Sequence, residues 1–226
     1  MSGGLYTQLL DLACGAFLLA AVVVLWLREL AAIVRAFAAQ GLALAAIAVL
    51  LGAHEERWDL VGVGIGIGVL RAGVLPYLIR RALAALTAGR AHSEEVRETQ
   101  PLINITASLL TAALLTLLAY AVSRPLTVLN PTPATRALPV GLTVVLIGFF
   151  VLVTRRRALA QVVGFLLLDN GITATAFLAT SGVPLIVELG VSFDVLLAVL
   201  VLQILTSRMR EAFGTTDIDD LRELHD

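Results

Sequence analysis

Apolar residues run along this chain in seven stretches, at about residues 5–27, 31–52, 58–79, 102–123, 138–154, 158–180 and 183–206. Spanning ~30 Å of hydrocarbon takes about 20 predominantly apolar residues. Six of the seven stretches reach that length or more, and 138–154 is the short one. The third stretch alternates Gly62, Gly64, Gly66 and Gly68 with Val and Ile. A lone strand cannot satisfy its backbone in lipid, so this stretch too is expected to be helical. The expected fold is all-α: an integral membrane protein with about seven transmembrane helices.

Polar punctuation divides these helices. Most connections are brief, and a turn at Ser181-Gly182 joins the last two stretches. Two connections are longer: 82–101, with His92, Glu94, Glu95, Arg97 and Glu98, and 124–137, with Pro125, Pro131 and Pro133. Pro139 suits the first turn of the fifth helix. The expected organisation is four N-terminal membrane helices over 1–123, an outer loop at 124–137, a three-helix unit over 138–206 and a polar, acidic tail at 207–226. Arg35-Ala36-Phe37-Ala38-Ala39-Gln40-Gly41 and Arg157-Ala158-Leu159-Ala160-Gln161-Val162-Val163-Gly164 open the second and sixth helices alike. This echo suggests two three-helix units with one linking helix, a parallel repeat of the kind found in transport folds.

Charge orients the helices. With the N-terminus outside, the cytoplasmic segments hold eleven arginines and the outer loops only Arg57, Arg124 and Arg136. That positive-inside bias gives N-out, C-in and fits an odd number of spans. Arg35 and Arg71 remain within spans. Composition agrees with a membrane chain: 226 residues, 59% hydrophobic, 15% charged, mean hydropathy +0.94. Soluble domains are nearer 45–50% apolar. A net charge of −1 points to no nucleic-acid partner. Cys14 is the single cysteine, so no internal disulfide forms. Leu12-Ala13-Cys14-Gly15 has the outline of a lipoprotein cleavage site, but Asp11 spoils the match. The first stretch lacks a basic n-region and is too long for a secretory signal. His54, His92 and His225 are scattered, and no metal-ligand spacing or phosphate-binding loop is present.

Candidate chemistry lies in the polar residues within the spans. Asp169 and Asp194 are nearly equidistant from the Ser181-Gly182 turn, so a helical hairpin sets both at one depth near the bilayer centre. An intramembrane carboxyl is by default a functional candidate. The functional reading makes Asp169 a protonatable group on a buried hydrophilic path, with Asn170 orienting it or holding water. The structural reading makes it a protonated, hydrogen-bonded link between helices. Glu188 lies six residues before Asp194 and about 120° around the same helix, so the two share no narrow face. Glu188 either gates access from the outer side or sits near headgroups. Arg71, slightly cytoplasmic of its span centre, snorkels or pairs with a buried carboxylate, and pairing is the expectation. Arg35 is expected to snorkel. Gln40, Asn104 and Gln161 are expected to hydrogen-bond between helices. The glycine pairs 62/66 and 64/68 predict a helix packed closely on two sides.

The last third carries a resemblance. Gly164-Phe165-Leu166-Leu167-Leu168-Asp169-Asn170-Gly171 followed by Thr175-Ala176-Phe177 resembles the second helix of the K-type subunit of respiratory complex I. Asp194 through Leu202-Gln203 resembles its third helix, with a second acid followed by a Gln. Asp217-Ile218-Asp219-Asp220-Leu221-Arg222-Glu223-Leu224 resembles its short acidic terminus. In that family the second-helix Glu falls where this chain has Leu166, and Asp169 comes three residues later, about one helical turn on. Val183-Pro184-Leu185-Ile186-Val187-Glu188-Leu189-Gly190 and Phe193-Asp194-Val195-Leu196, with the chain's length, resemble hydrogenase-4 component E, a membrane subunit of group 4 [NiFe]-hydrogenase complexes of the formate hydrogenlyase type.

The resemblance implies a membrane-arm subunit of a complex I-related redox assembly in a bacterial or archaeal cytoplasmic membrane. Its partners would be antiporter-like subunits, a quinone-site heel-type subunit and a peripheral hydrogenase arm. Asp169, Asp194 and Glu188 would relay protons, with Arg71 as charge partner and Asn170 and Gln203 lining the path. The chain would bind no cofactor and would not be an enzyme on its own. Two rivals remain at this point: a purely structural assembly subunit, and an independent small-solute or ion transporter.

Overall fold

A computed structural model describes residues 3–27, 29–87, 104–154 and 158–180. Every element among these residues is a helix. The elements are α1 (Gly3–Trp26), α2 (Leu30–His54), α3 (Trp58–Ile67), a π-helical segment (Gly68–Val74), α4 (Leu75–Thr87), α5 (Ile105–Leu129), α6 (Pro133–Thr154) and α7 (Ala158–Thr180). α3, the π segment and α4 form one continuous rod. Among the described residues six helices, counting Trp58–Arg81 of that rod as one, are long and apolar enough to cross a membrane. The seventh expected span, 183–206, lies outside the described residues.

Burial orders these helices around a common apolar core. Leu10, Phe17 and Ala21 of α1, Phe37, Leu44, Ile47 and Leu51 of α2, Val144 and Ile147 of α6, and Leu167, Ala174 and Phe177 of α7 are inaccessible. α6 and α7 are 61% buried over their most apolar windows, whereas α5 is 17% buried. α5 therefore lies at the periphery, with Leu110, Leu114, Leu117 and Val122 facing outward. At one end of the bundle the His54 ring stacks on Tyr6, with centroids 3.8 Å apart, and ties α2 to α1.

Glycines set the closest approaches. A Cβ on Gly171 would stand 2.5 Å from the Val145 amide nitrogen, and one on Gly148 2.7 Å from Leu168 Cα. Gly141 meets Thr175, and Gly164 meets Leu152, in the same way. Gly141 and Gly148, like Gly164 and Gly171, are seven residues apart, so each pair lies on one helical seam. Without a solvent-driven hydrophobic force between helices in lipid, such backbone-to-backbone packing holds them together.

The glycine run of the third span behaves differently from expectation. Gly64 packs against Ala48 and Val49, and Gly68 against Ala45, all on α2. Among the described residues Gly62 and Gly66 have no such neighbour, so there the rod is closely packed on one side, not two.

The segment 124–137, expected as a Pro-rich loop, is mostly helix. α5 continues through Pro125 to Leu129, and α6 begins at Pro133, not near Pro139. A proline removes one backbone bond, which a long apolar membrane helix tolerates. The start of α6 follows from Thr132-Pro133: Pro at the first helical position has its φ pre-set and needs no N–H partner. Thr132 caps it reciprocally. The Thr135 N–H donates to Thr132 Oγ1 (3.1 Å), and the Thr132 N–H donates to Thr135 Oγ1 (2.9 Å). This is a capping box with Thr in the usual Glu position. Thr132→Ala is expected to destabilise the protein by about 0.5–2 kcal/mol, read as a lowered unfolding midpoint in detergent with faster amide exchange in the first turn of α6.

Candidate functional site: a buried charged cluster at mid-span

Five polar side chains from three helices, Arg71, Asp169, Asn170, Thr173 and Gln40, meet where each helix is near its midpoint. Asp169 has eleven residues of α7 on either side. Arg71 lies close to the centre of Trp58–Arg81, and Gln40 two residues before the centre of α2. Arg71 is 1% exposed, Gln40 0%, Asn170 1% and Asp169 6%.

Local sequence accounts for how Arg71 is delivered. Pro76 has no N–H and cannot serve the Ala72 carbonyl, and its ring crowds the preceding turn. The helix answers by widening: Gly68–Val74 is π-helical, and the Leu75 N–H reaches back to the Leu70 carbonyl. π-helical turns are rare and concentrate at functional sites. Gly41 permits the approach from α2. A Cβ there would stand 2.9 Å from the Arg71 carbonyl carbon and 3.0 Å from the Ala72 nitrogen.

The contacts form a connected network. Arg71 Nη2 pairs with Asp169 Oδ2 at 2.7 Å. The same guanidinium donates from Nη1 to Asn170 Oδ1 and from Nη2 to Thr173 Oγ1 (3.1 Å). Asn170 Nδ2 in turn donates to Gln40 Oε1 at 2.9 Å. Guanidinium is donor-only, so the amides are ordered: Asn170 accepts from Arg71 and donates to Gln40. Gln40 then presents Nε2, a buried donor with no hydrogen-bond partner among the described residues. The cluster thus places a guanidinium beside a carboxyl group in an apolar bundle.

Other hydroxyls in the bundle are occupied locally. Ser123, Thr143, Thr154 and Thr175 each donate to the carbonyl four residues back. Thr173 stands apart because its oxygen accepts from Arg71. Arg35 is exposed. Asn104, expected between helices, is exposed at the start of α5 and makes no side-chain cap. Asp194, Glu188 and Gln203 lie outside the described residues. Among the described residues no group of His, Cys, Asp and Glu is arranged to hold a metal ion.

The chain is 50% identical over 226 residues, the full length of both proteins, to the uncharacterized protein Rv0085 of Mycobacterium tuberculosis (strain ATCC 25618 / H37Rv). The chain belongs to the Rv0085 family. Hydrogenase-4 component E of Escherichia coli (strain K12) is 33% identical over 115 residues, which is 51% of this chain and 53% of that protein. Hydrogenase-4 component E of Shigella flexneri matches to the same extent. The likeness to hydrogenase-4 component E thus spans about half of each chain. No protein-family model and no solved structure matches.

Sequence reasoning singles out Asp169, Asn170 and Arg71 as candidates, and the fold brings them together. Thr173 was missed, although its place one turn after Asp169–Asn170 is a signal: residues three and four apart share a helix face. Gln40 was expected to be a hydrogen-bonder between helices and is one, but nothing in the sequence announces its partner 130 positions away.

Proposed function

We propose that this chain is a membrane subunit of a hydrogenase-4-like oxidoreductase complex, and that the Arg71–Asp169 cluster lies on its path for protons. The likeness to hydrogenase-4 component E over half the chain and the run of apolar helices support the subunit reading. One observation carries the proton reading: a carboxylate and a guanidinium 2.7 Å apart at mid-span on separate helices. A proton arriving at Asp169 neutralises the carboxylate and releases the positive charge of Arg71. Loss of that proton restores the pair. The cluster thereby couples protonation to the field felt by neighbouring groups in a medium that screens charge weakly.

On this proposal Asp194 continues the relay, Glu188 serves its outer side, and Asn170 and Gln203 line it. The chain is N-out, C-in in the cytoplasmic membrane. It works beside antiporter-like and heel-type subunits, while redox chemistry takes place in the peripheral hydrogenase arm. The three contacts that Arg71 makes with Asp169, Asn170 and Thr173 of one helix favour a second reading, in which the pair only fixes helix register. Asp169→Asn in the complete complex separates the two. In sealed vesicles the proton-path reading expects normal assembly and electron transfer with the redox-driven pH gradient lost. An undiminished gradient in an intact complex would leave only the register role.

A further inference from the structure

We propose that the outward face of α1 is the docking surface for a membrane helix of a partner subunit that presents a basic side chain to Asp11. This goes beyond the function proposed above and does not require the proton reading.

α1 buries one side. Tyr6, Leu10, Cys14, Phe17 and Ala21 point into the bundle. Gly4, Gln8, Asp11 and Gly15 are all exposed. Their intervals of four, three and four are those of a heptad seam, the spacing at which one helix meets another. An added Cβ on Gly4 or Gly15 meets nothing within 4 Å, so both ends of the seam are open to a neighbouring backbone. None of the ion pairs seen among the described residues involves Asp11.

Depth makes the exposed carboxyl informative. α1 has 24 residues, so it is about 36 Å long and Asp11 lies about 5 Å from its middle. An acidic side chain at the centre of a membrane helix is costly to insert. Ionisable residues in spans accordingly face protein or water-filled cavities. Gln8, one turn outward on the same seam, adds a second polar group that lipid cannot satisfy.

Charge selects the occupant. A second copy in the same membrane has the same orientation and meets this seam at equal depth, setting Asp11 against its own counterpart. The segment 183–206 of this chain offers Glu188 and Asp194 and no basic residue. A partner helix carrying Arg or Lys, flanked by residues small enough to approach Gly15, satisfies both the charge and the open seam.

The test places a thiol-linked photocrosslinker at Gln8→Cys or Gly15→Cys, one turn either side of Asp11, in a Cys14→Ser background of the full chain in its native membrane. Both positions are expected to label one helix of a different protein, with a basic residue between the two labelled sites. Label found on a second copy, on 183–206 of the same chain or on lipid alone overturns the proposal. So does a labelled partner helix with no base at that depth. Asp11→Arg is then expected to lower retention of that partner on mild solubilisation by about tenfold or more, and replacing the partner's base with Asp should restore it. Unchanged retention in Asp11→Arg overturns the proposal. The crosslinking arm keeps Asp11 unaltered, so it stands if charge reversal impairs insertion. It also reads equally well in a complex that moves no protons, so it fails or succeeds independently of Asp169.

Discussion

Arg71→Met should destabilise this protein by about 3–5 kcal/mol, the cost of breaking a buried ion pair by removing one member. Met keeps an unbranched apolar stem, so the loss is electrostatic more than steric. The variant leaves the Asp169 carboxyl without its 2.7 Å partner, and Asn170 Oδ1 and Thr173 Oγ1 without their donor. Water cannot replace these contacts cheaply where Asp169 is 6% and Asn170 1% exposed. Asp169→Leu alone should do comparable harm, because it strands a guanidinium instead. The double variant Arg71→Met/Asp169→Leu should recover part of the stability, since an apolar pair in place of a buried ion pair is often neutral or stabilising, while Asn170 and Thr173 still lack their donor. Denaturant titration of the four proteins in one micelle system gives the coupling energy directly. A coupling energy near zero would mean that the two charges are held independently, and the proposed linkage between protonation and the charge of Arg71 would fall with it.

That cycle also explains which parts of the site a reader of the sequence can see. Asp169 and Arg71 are legible because lipid penalises charge wherever it sits, so each declares itself without knowledge of the fold. Their pairing is legible only as an expectation, for 98 positions separate them. Gln40 is less legible still. An uncharged amide in a span has many uses, and its place in the network depends on Gly41 admitting the π segment and on Asn170 facing α2. The π segment has a local cause in Pro76, but the run of alternating glycines before it drew the eye to spacings of four. Gly62 and Gly66 satisfy that spacing, yet a Cβ on either meets nothing within 4 Å among the described residues, whereas Gly64 and Gly68 satisfy it and are packed. Spacing shows which residues share a face; it does not show whether another helix lies against that face. The loop expected at 124–137 shows the same limit in reverse. Three prolines suggested an interruption, yet Pro125 is absorbed within α5, and Thr132-Pro133 marks the true start of α6. In the sequence Asp11 bears only on a processing signal, and its exposure on α1 is visible only once the other helices are in place.

Gly148→Ala and Gly171→Ala should each destabilise the protein by about 1–3 kcal/mol, the usual range for overpacking, and toward its upper end. The atoms in the way are backbone: Leu168 Cα at 2.7 Å for Gly148 and the Val145 nitrogen at 2.5 Å for Gly171. Rotamer changes cannot relieve such contacts, so α6 and α7 must move apart. Gly62→Ala and Gly66→Ala should instead be neutral or stabilising by about 0.5–1 kcal/mol, because an open helical glycine gains from the added methyl. The two outcomes share one chemical change and differ only in what faces it. Gly171 also follows Asn170 directly, so displacement of α7 there shifts Asp169 and Asn170 relative to Arg71 on the other span. On the proposed function, Gly171→Ala should therefore lower proton translocation more than Gly148→Ala at matched loss of stability. Unfolding midpoints of the four single variants, with pH-gradient formation in vesicles for the two on the α6–α7 seam, test both statements. If Gly62→Ala proved as damaging as Gly171→Ala in the assembled complex but not in the isolated chain, a partner helix would be shown to cover the open side of the third span.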